Sequence, residues 1–114
     1  MSDKLSTTLD ILGTEYTLVY KELEEDVYLQ ENKGIEAYTD YEDKKIVFNL
    51  GYMSDKELSI DGGYHKATIR HEIVHAFLYE SGLDVCSEWA RNEEMVDWIA
   101  IQLPKMIKAM DNYI

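Results

Sequence analysis

The chain has 114 residues, 46% hydrophobic and 11% aromatic, enough apolar material for one core in one domain spanning 1–114 and too little length for two. Its 23 acidic residues outnumber 11 basic ones, for a net charge of −12; such a surface repels phosphate backbones, and the scattered lysines form no basic patch, which argues against nucleic-acid partners. No apolar run approaches bilayer-spanning length, and Met1 to Asp10 lacks the basic start and apolar stretch of a signal peptide, so no membrane association is expected. A single cysteine, Cys86, permits no internal disulfide, which fits a soluble protein of the reducing cytoplasm. Cys86 itself reads as an ordinary small side chain rather than a nucleophile.

The first half predicts strands. Thr7 to Leu12 and Glu15 to Tyr20 are β-prone runs separated by Gly13-Thr14, a two-residue hairpin turn. An acidic stretch around Leu23 to Gln30 follows, as a solvated loop or a short helical turn, and Gly34 ends it. Ile35 to Tyr41 and Lys45 to Leu50 form a second pair of runs joined by Glu42-Asp43-Lys44. Met53 to Gly63 is polar and turn-rich, with Asp61 as an N-cap for the next element.

The second half predicts helices. From about Gly63 to Ser81, Ala67, Ile69, Ile73, Val74, Phe77 and Leu78 recur at helical spacing, and Gly82 stands where a C-terminal stop belongs. A second helix is expected from about Ser87, its stripe running through Trp89, Met95, Val96, Ile99, Leu103, Met106 and Ile107, with a kink or break at Pro104. The fold class is therefore α+β: a small antiparallel or mixed sheet of three to four strands in the N-terminal half, packed on two helices.

His71-Glu72-Ile73-Val74-His75 uses two of the three histidines. Four residues apart on a helix, their imidazoles stand on one face and suit a shared metal ion, while Glu72 falls roughly 100° round, within reach of a water on that metal. On the same wheel Thr68 and Tyr79 join the two histidines and Glu72 in one narrow polar strip, and apolar residues fill the rest of the girth. An amphipathic helix whose polar strip merely happens to carry histidines remains the alternative. Zinc held by two histidines needs a third protein ligand. Glu93 and Asp97 share a face of the second helix at the border of its apolar stripe, with Glu94 turned to solvent. Glu93 is the candidate third ligand, and Asp97 the carboxylate that accepts the second ring N–H of His71 or His75. The competing reading is a solvated acidic first turn, where negative charge is mildly favourable.

His71-Glu72-x-x-His75 followed by Glu93-x-x-x-Asp97 resembles the gluzincin metallopeptidases, which combine HExxH with a downstream glutamate helix. The resemblance implies that His71, His75 and Glu93 hold Zn2+, that Glu72 is the catalytic glutamate and that Asp97 supports the first histidine. The size and the strand-to-helix order look like the minimal members, the minigluzincins, and are similar to small phage and bacterial proteins of the ImmA/IrrE-like type. Two departures matter. Larger gluzincins carry a second subdomain with a histidine or tyrosine that stabilises the oxyanion; in its absence Tyr64, His65 and Tyr79 are substitutes that the sequence does not separate. Minigluzincins can also be latent, and Lys105 to Ile114 either crosses the cleft or simply continues the helix.

The expected activity is peptide-bond hydrolysis by a zinc-activated water with Glu72 as general base and acid. The substrate is a peptide or protein, paired with an exposed edge strand from Ile35 to Tyr41 or Lys45 to Leu50. The rival is a non-catalytic, zinc-stabilised protein-interaction domain. A structural zinc site would prefer a fourth protein ligand, for which Cys86 is the one nearby thiol.

Overall fold

The computed structural model describes residues 6–51 and 63–114, the Tyr64 side chain excepted. β1 (Thr7–Ile11) and β2 (Thr14–Lys21) form a hairpin whose turn residues are Leu12 and Gly13, at φ 51° and 89°. Two central residues of positive φ make the tight turn that matches strand twist, and the Asp10 carboxylate accepts the Gly13 N–H at 2.9 Å. The turn thus sits one residue earlier than Gly13-Thr14, because Gly13 takes the second central position and Thr14 pairs with Ile11. The acidic stretch becomes a 3-10 turn, Leu23–Glu25, and a short helix, α1 (Val27–Glu31), capped by Asp26.

β3 (Ala37–Asp40) and β4 (Lys45–Asn49) complete a four-stranded mixed sheet in the order β1-β2-β4-β3, with β2 parallel to β4 and the other pairs antiparallel. β4 pairs on both sides, and its consecutive Ile46, Val47 and Phe48 are all buried, as a run without alternation implies for a strand covered on both faces. Lys45 to Leu50 is therefore interior, and of the two runs expected to offer a free edge only β3 stands at the sheet's edge among the described residues.

α2 (Gly63–Glu80) lies between the sheet and α4 (Glu93–Met110), with α3 (Leu83–Cys86) and a 3-10 turn (Glu88–Arg91) connecting them. Its Ala76, Ile69 and Ile73 pack with Ile11, Tyr16, Leu18, Tyr20, Ile46 and Phe48 of the sheet. Its Val74 and Leu78 pack with Ala90, Val96 and Ala100 on the other side. With two apolar faces occupied, only a strip along α2 is left for polar groups. Gly82 ends the helix at φ 86°, a left-handed position that glycine adopts without the usual Cβ penalty. The expected Asp61 cap and the polar block from Met53 lie outside the described residues, among which no helix is long and apolar enough to cross a membrane.

The start of the last helix is corrected, and of the kink or break expected at Pro104 the break does not occur. α4 starts at Glu93 rather than near Ser87, because the Asn92 side chain accepts the Met95 N–H at 2.9 Å and caps it there; Trp89 belongs to the preceding 3-10 turn. Pro104 neither breaks nor ends α4, which runs on to Met110. A proline has no N–H to give the carbonyl one turn back, that of Ala100. Arg70 Nε donates to that carbonyl at 2.8 Å, so the orphaned acceptor is satisfied from α2 and ties the two helices together. Pro104→Ala would give Ala100 a second donor and remove the ring's steric load. It is expected to stabilise the protein by about 1–3 kcal/mol in urea unfolding, and a loss of stability would show that the Arg70 tie needs the vacated carbonyl.

Candidate metal centre

The polar strip of α2 meets the first turn of α4 beside the β3 edge. His71 and His75 face each other with ring centroids 4.9 Å apart. Glu93 Oε1 lies 3.0 Å from His71 Nε2 and 3.1 Å from His75 Nε2, so one carboxylate oxygen bridges both imidazoles. Asp97 Oδ1 lies 3.3 Å from His71 Nδ1. The capped start of α4 fixes this arrangement, because Asn92 sets the phase that turns Glu93 and Asp97 towards α2.

The chemistry of these donors fits a divalent cation. If His71 donates its Nδ1–H to Asp97, its Nε2 carries a lone pair directed at Glu93 Oε1, and two acceptors face each other at hydrogen-bond distance. Either a second proton or a cation must lie between them. A tetrahedral zinc with bonds of about 2.0–2.1 Å sets its donors roughly 3.3 Å apart, close to the spacings found. One ligand atom from each of His71, His75 and Glu93 lies within 4.8 Å of the others, the one such group of three among the described residues. Cys86 is exposed and outside it. Burial by itself would raise the Glu93 carboxyl, but the two imidazoles outweigh it and hold Glu93 below the usual carboxylate range.

Glu72 stands apart from the exposed Glu93 and Asp97, being only 8% accessible. Burial pushes its carboxyl up, against the opposing pull of a hydrogen bond from Thr39 and of the two imidazoles. The Thr39 hydroxyl lies 2.8 Å from Glu72 Oε1 and 3.3 Å from the Glu72 carbonyl oxygen, so the edge strand holds the glutamate in place.

All of these groups line one cleft of about 770 Å³. One wall follows β3 and its flanks, the floor is α2 from Ala67 to His75, and Glu93, Asp97 and Ile101 of α4 form the opposite wall. Ile101 is the last α4 residue in that lining, and Lys105 onward continues the helix.

His65, one of the substitutes for an oxyanion donor, is half-buried against Phe48 and within hydrogen-bond distance of the Tyr20 hydroxyl, and is not among the residues lining the cleft. Tyr79 is outside the lining, stacked on Tyr41 at 4.3 Å between centroids, and the Tyr64 side chain is not described. Tyr41 does line the cleft, and burial keeps its phenol protonated, reinforced by the charges of Asp84, Glu72 and Glu93. Thr39 and Tyr41 were not singled out by sequence. Both fall in the Ile35 to Tyr41 run, but which of its residues meet α2 depends on strand order, which period-two alternation does not carry.

No family model matches the chain, and neither a curated protein nor a solved structure is significantly similar to it. What the fold and the cluster establish is a class: an α+β protein whose His71-Glu72-x-x-His75 and downstream Glu93 form a ligand set matching the HExxH-type zinc protease motif. That combination is consistent with the gluzincin clan generally.

Proposed function

We propose that this protein is a zinc-dependent peptide hydrolase of minimal, minigluzincin-like type, working in the cytoplasm, with His71, His75 and Glu93 as zinc ligands and Glu72 as general base. The observation that carries the reading is the pairing of a converged three-ligand set with a separate, buried carboxylate in the same cleft. A purely structural zinc site has no use for Glu72, whose burial is unfavourable for a charge.

A bound zinc supplies Lewis acidity, polarising a carbonyl and lowering the pKa of a neighbouring water. Glu72 takes the proton of the attacking water and passes it to the leaving amine. Thr39 aims its carboxylate. Tyr41, which lines the cleft and keeps its phenol proton, is the donor we assign to charge developing on the carbonyl oxygen. β3, the edge strand of the sheet among the described residues, takes an extended substrate as a further strand. Asp97 orients His71. Because α4 continues unbroken past Pro104 to Met110, and no residue beyond Ile101 is among the described lining of the cleft, we read the cleft as open rather than closed by the C-terminal residues.

Asp97→Asn should weaken zinc binding about 10–100-fold in chelator competition, with the fold unchanged, because the amide no longer accepts the His71 N–H as strongly. Unchanged affinity would remove Asp97 from the centre. The function itself is tested by incubating the zinc-loaded chain with a diverse peptide mixture and reading new termini by mass spectrometry. Cleavage that disappears with 1,10-phenanthroline is expected. A chain that holds zinc but cuts nothing supports the protein-interaction alternative.

A further inference from the structure

We propose that Tyr79 is a positioning residue for hydrolysis: gripped by Tyr41 and Lys44, it fixes the Tyr41 phenol relative to the helix that carries the histidines. This rests on the peptide-hydrolase reading above and deepens it.

Tyr79 belongs to the polar strip of α2 but lies outside the cleft lining, so the metal centre leaves it unused. It stands one helical turn after His75, on the same face and about 6 Å further along the axis. Tyr41 stacks on it, with ring centroids 4.3 Å apart and planes 13° from parallel. Tyr41 does line the cleft, so this stack sets where its phenol stands with respect to the two histidines.

One stacked pair contributes only about 0.5–1.5 kcal/mol, too little to hold a ring at the end of an edge strand by itself. The turn that carries Tyr41 grips Tyr79 a second time. Lys44, at the other end of that turn between β3 and β4, places its ammonium 5.2 Å from the Tyr79 centroid and 5.7 Å from that of Tyr16. The same ammonium donates to Glu80 Oε2 at 2.7 Å. Glu80 also accepts from the hydroxyl of the buried Tyr16 at 2.7 Å, and Lys44 and Tyr16 together hold its carboxyl below the usual carboxylate range. Because Glu80 is the last residue of α2, the turn is fastened both to the ligand helix and to the core of the sheet. Asp40 stiffens the turn from within, its Oδ1 accepting the Glu42 and Asp43 N–H groups at 3.1 and 3.0 Å.

The backbone of Lys44 supports the same reading. Its φ is 55°, in the left-handed region where glycine is unstrained and a residue with a Cβ is not. Glycine would close this turn more easily but could reach neither Tyr79 nor Glu80. A lysine stands where local preference favours glycine, and what it adds is the clasp.

The test uses the zinc-loaded full chain and a quenched fluorescent peptide built on one of its own cleavage sites. Tyr41→Phe is expected to lower kcat about 10²-fold, as loss of one such donor does. Tyr79→Leu should lower kcat about tenfold, with KM and zinc affinity within about twofold of wild type, and Tyr79→Phe, which keeps the stack, should recover the loss. The double variant Tyr41→Phe/Tyr79→Leu is expected to be no slower than Tyr41→Phe alone, because a clasp without the phenol has nothing to position. Additive losses, a parental kcat in Tyr41→Phe or in Tyr79→Leu, or a Tyr79→Phe as slow as Tyr79→Leu, each overturn the proposal. A second readout needs no turnover: the NOE between the Tyr41 and Tyr79 rings should weaken in Lys44→Met, which touches neither ring's own atoms. An NOE at full strength in that variant overturns the clasp. If no peptide is cut while zinc is bound, the hydrolase reading fails on its own, and the NOE still decides whether Lys44 and Tyr79 hold Tyr41.

Discussion

Glu72→Gln is expected to lower peptide cleavage by about 10²–10⁴-fold while zinc content stays at the wild-type level, the range over which a positioned general base acts. The two readouts separate because Glu72 occupies a different place from the ligands. It is buried and bonded to Thr39, whereas the donor atoms that converge belong to His71, His75 and Glu93. Glutamine has the same shape, and its amide oxygen can still accept from the Thr39 hydroxyl. Burial already disfavours charge at this position, so a neutral side chain should not destabilise the fold. A variant that cleaves at the parental rate would remove Glu72 from the mechanism, and one that loses zinc as well would mean that Glu72 is a ligand.

Glu93→Ala is expected to have the opposite signature, with zinc affinity falling by more than about 100-fold and activity falling with it. Outer partners of a metal site typically contribute 10–100-fold, and Glu93 is the oxygen donor that bridges both imidazoles. Two histidines alone leave zinc with too few protein ligands. The helix should survive, because the Asn92 cap is untouched and an exposed first-turn carboxylate contributes only about 0.3–1 kcal/mol through the helix dipole. Glu94→Ala is the control: it removes the neighbouring exposed carboxylate, which lies outside the cleft lining, and should change neither property. Chelator competition on the three proteins reads the difference directly, and equal affinities for wild type and Glu93→Ala would exclude Glu93 as a ligand.

The parts of this site that were legible in the sequence are those written in helical periodicity. His71 and His75, and then Glu93 and Asp97, share faces because a helix repeats every 3.6 residues, and the structure brings these four side chains together. The narrow polar strip was legible for the same reason, since the remaining girth of α2 is apolar and packs on both the sheet and α4. The sheet was legible as strands but not as an order. Nothing local in Ile35 to Tyr41 or Lys45 to Leu50 says that the second inserts beside β2 and leaves the first at the edge, although the unbroken Ile46-Val47-Phe48 run carried a hint of a central strand. Thr39 and Tyr41 gain their positions from that order, so their contacts with the cleft were out of reach. That Pro104 leaves the helix unbroken was out of reach for a different reason. Its local effect is to vacate a carbonyl, and the partner that fills it, Arg70, comes from another helix. The start of α4 was misplaced because the Glu88–Arg91 turn continues the same apolar pattern, while Asn92 holds the cap.

The central claim is that His71, His75 and Glu93 hold one zinc ion. Its most direct test is metal analysis of the protein purified without chelator, paired with zinc X-ray absorption on the same sample. The account predicts one equivalent of zinc per chain in a shell of nitrogen and oxygen donors, two of them imidazole, with no sulfur. A protein that retains no zinc and takes none up on titration, or a shell that contains the Cys86 sulfur, would contradict it.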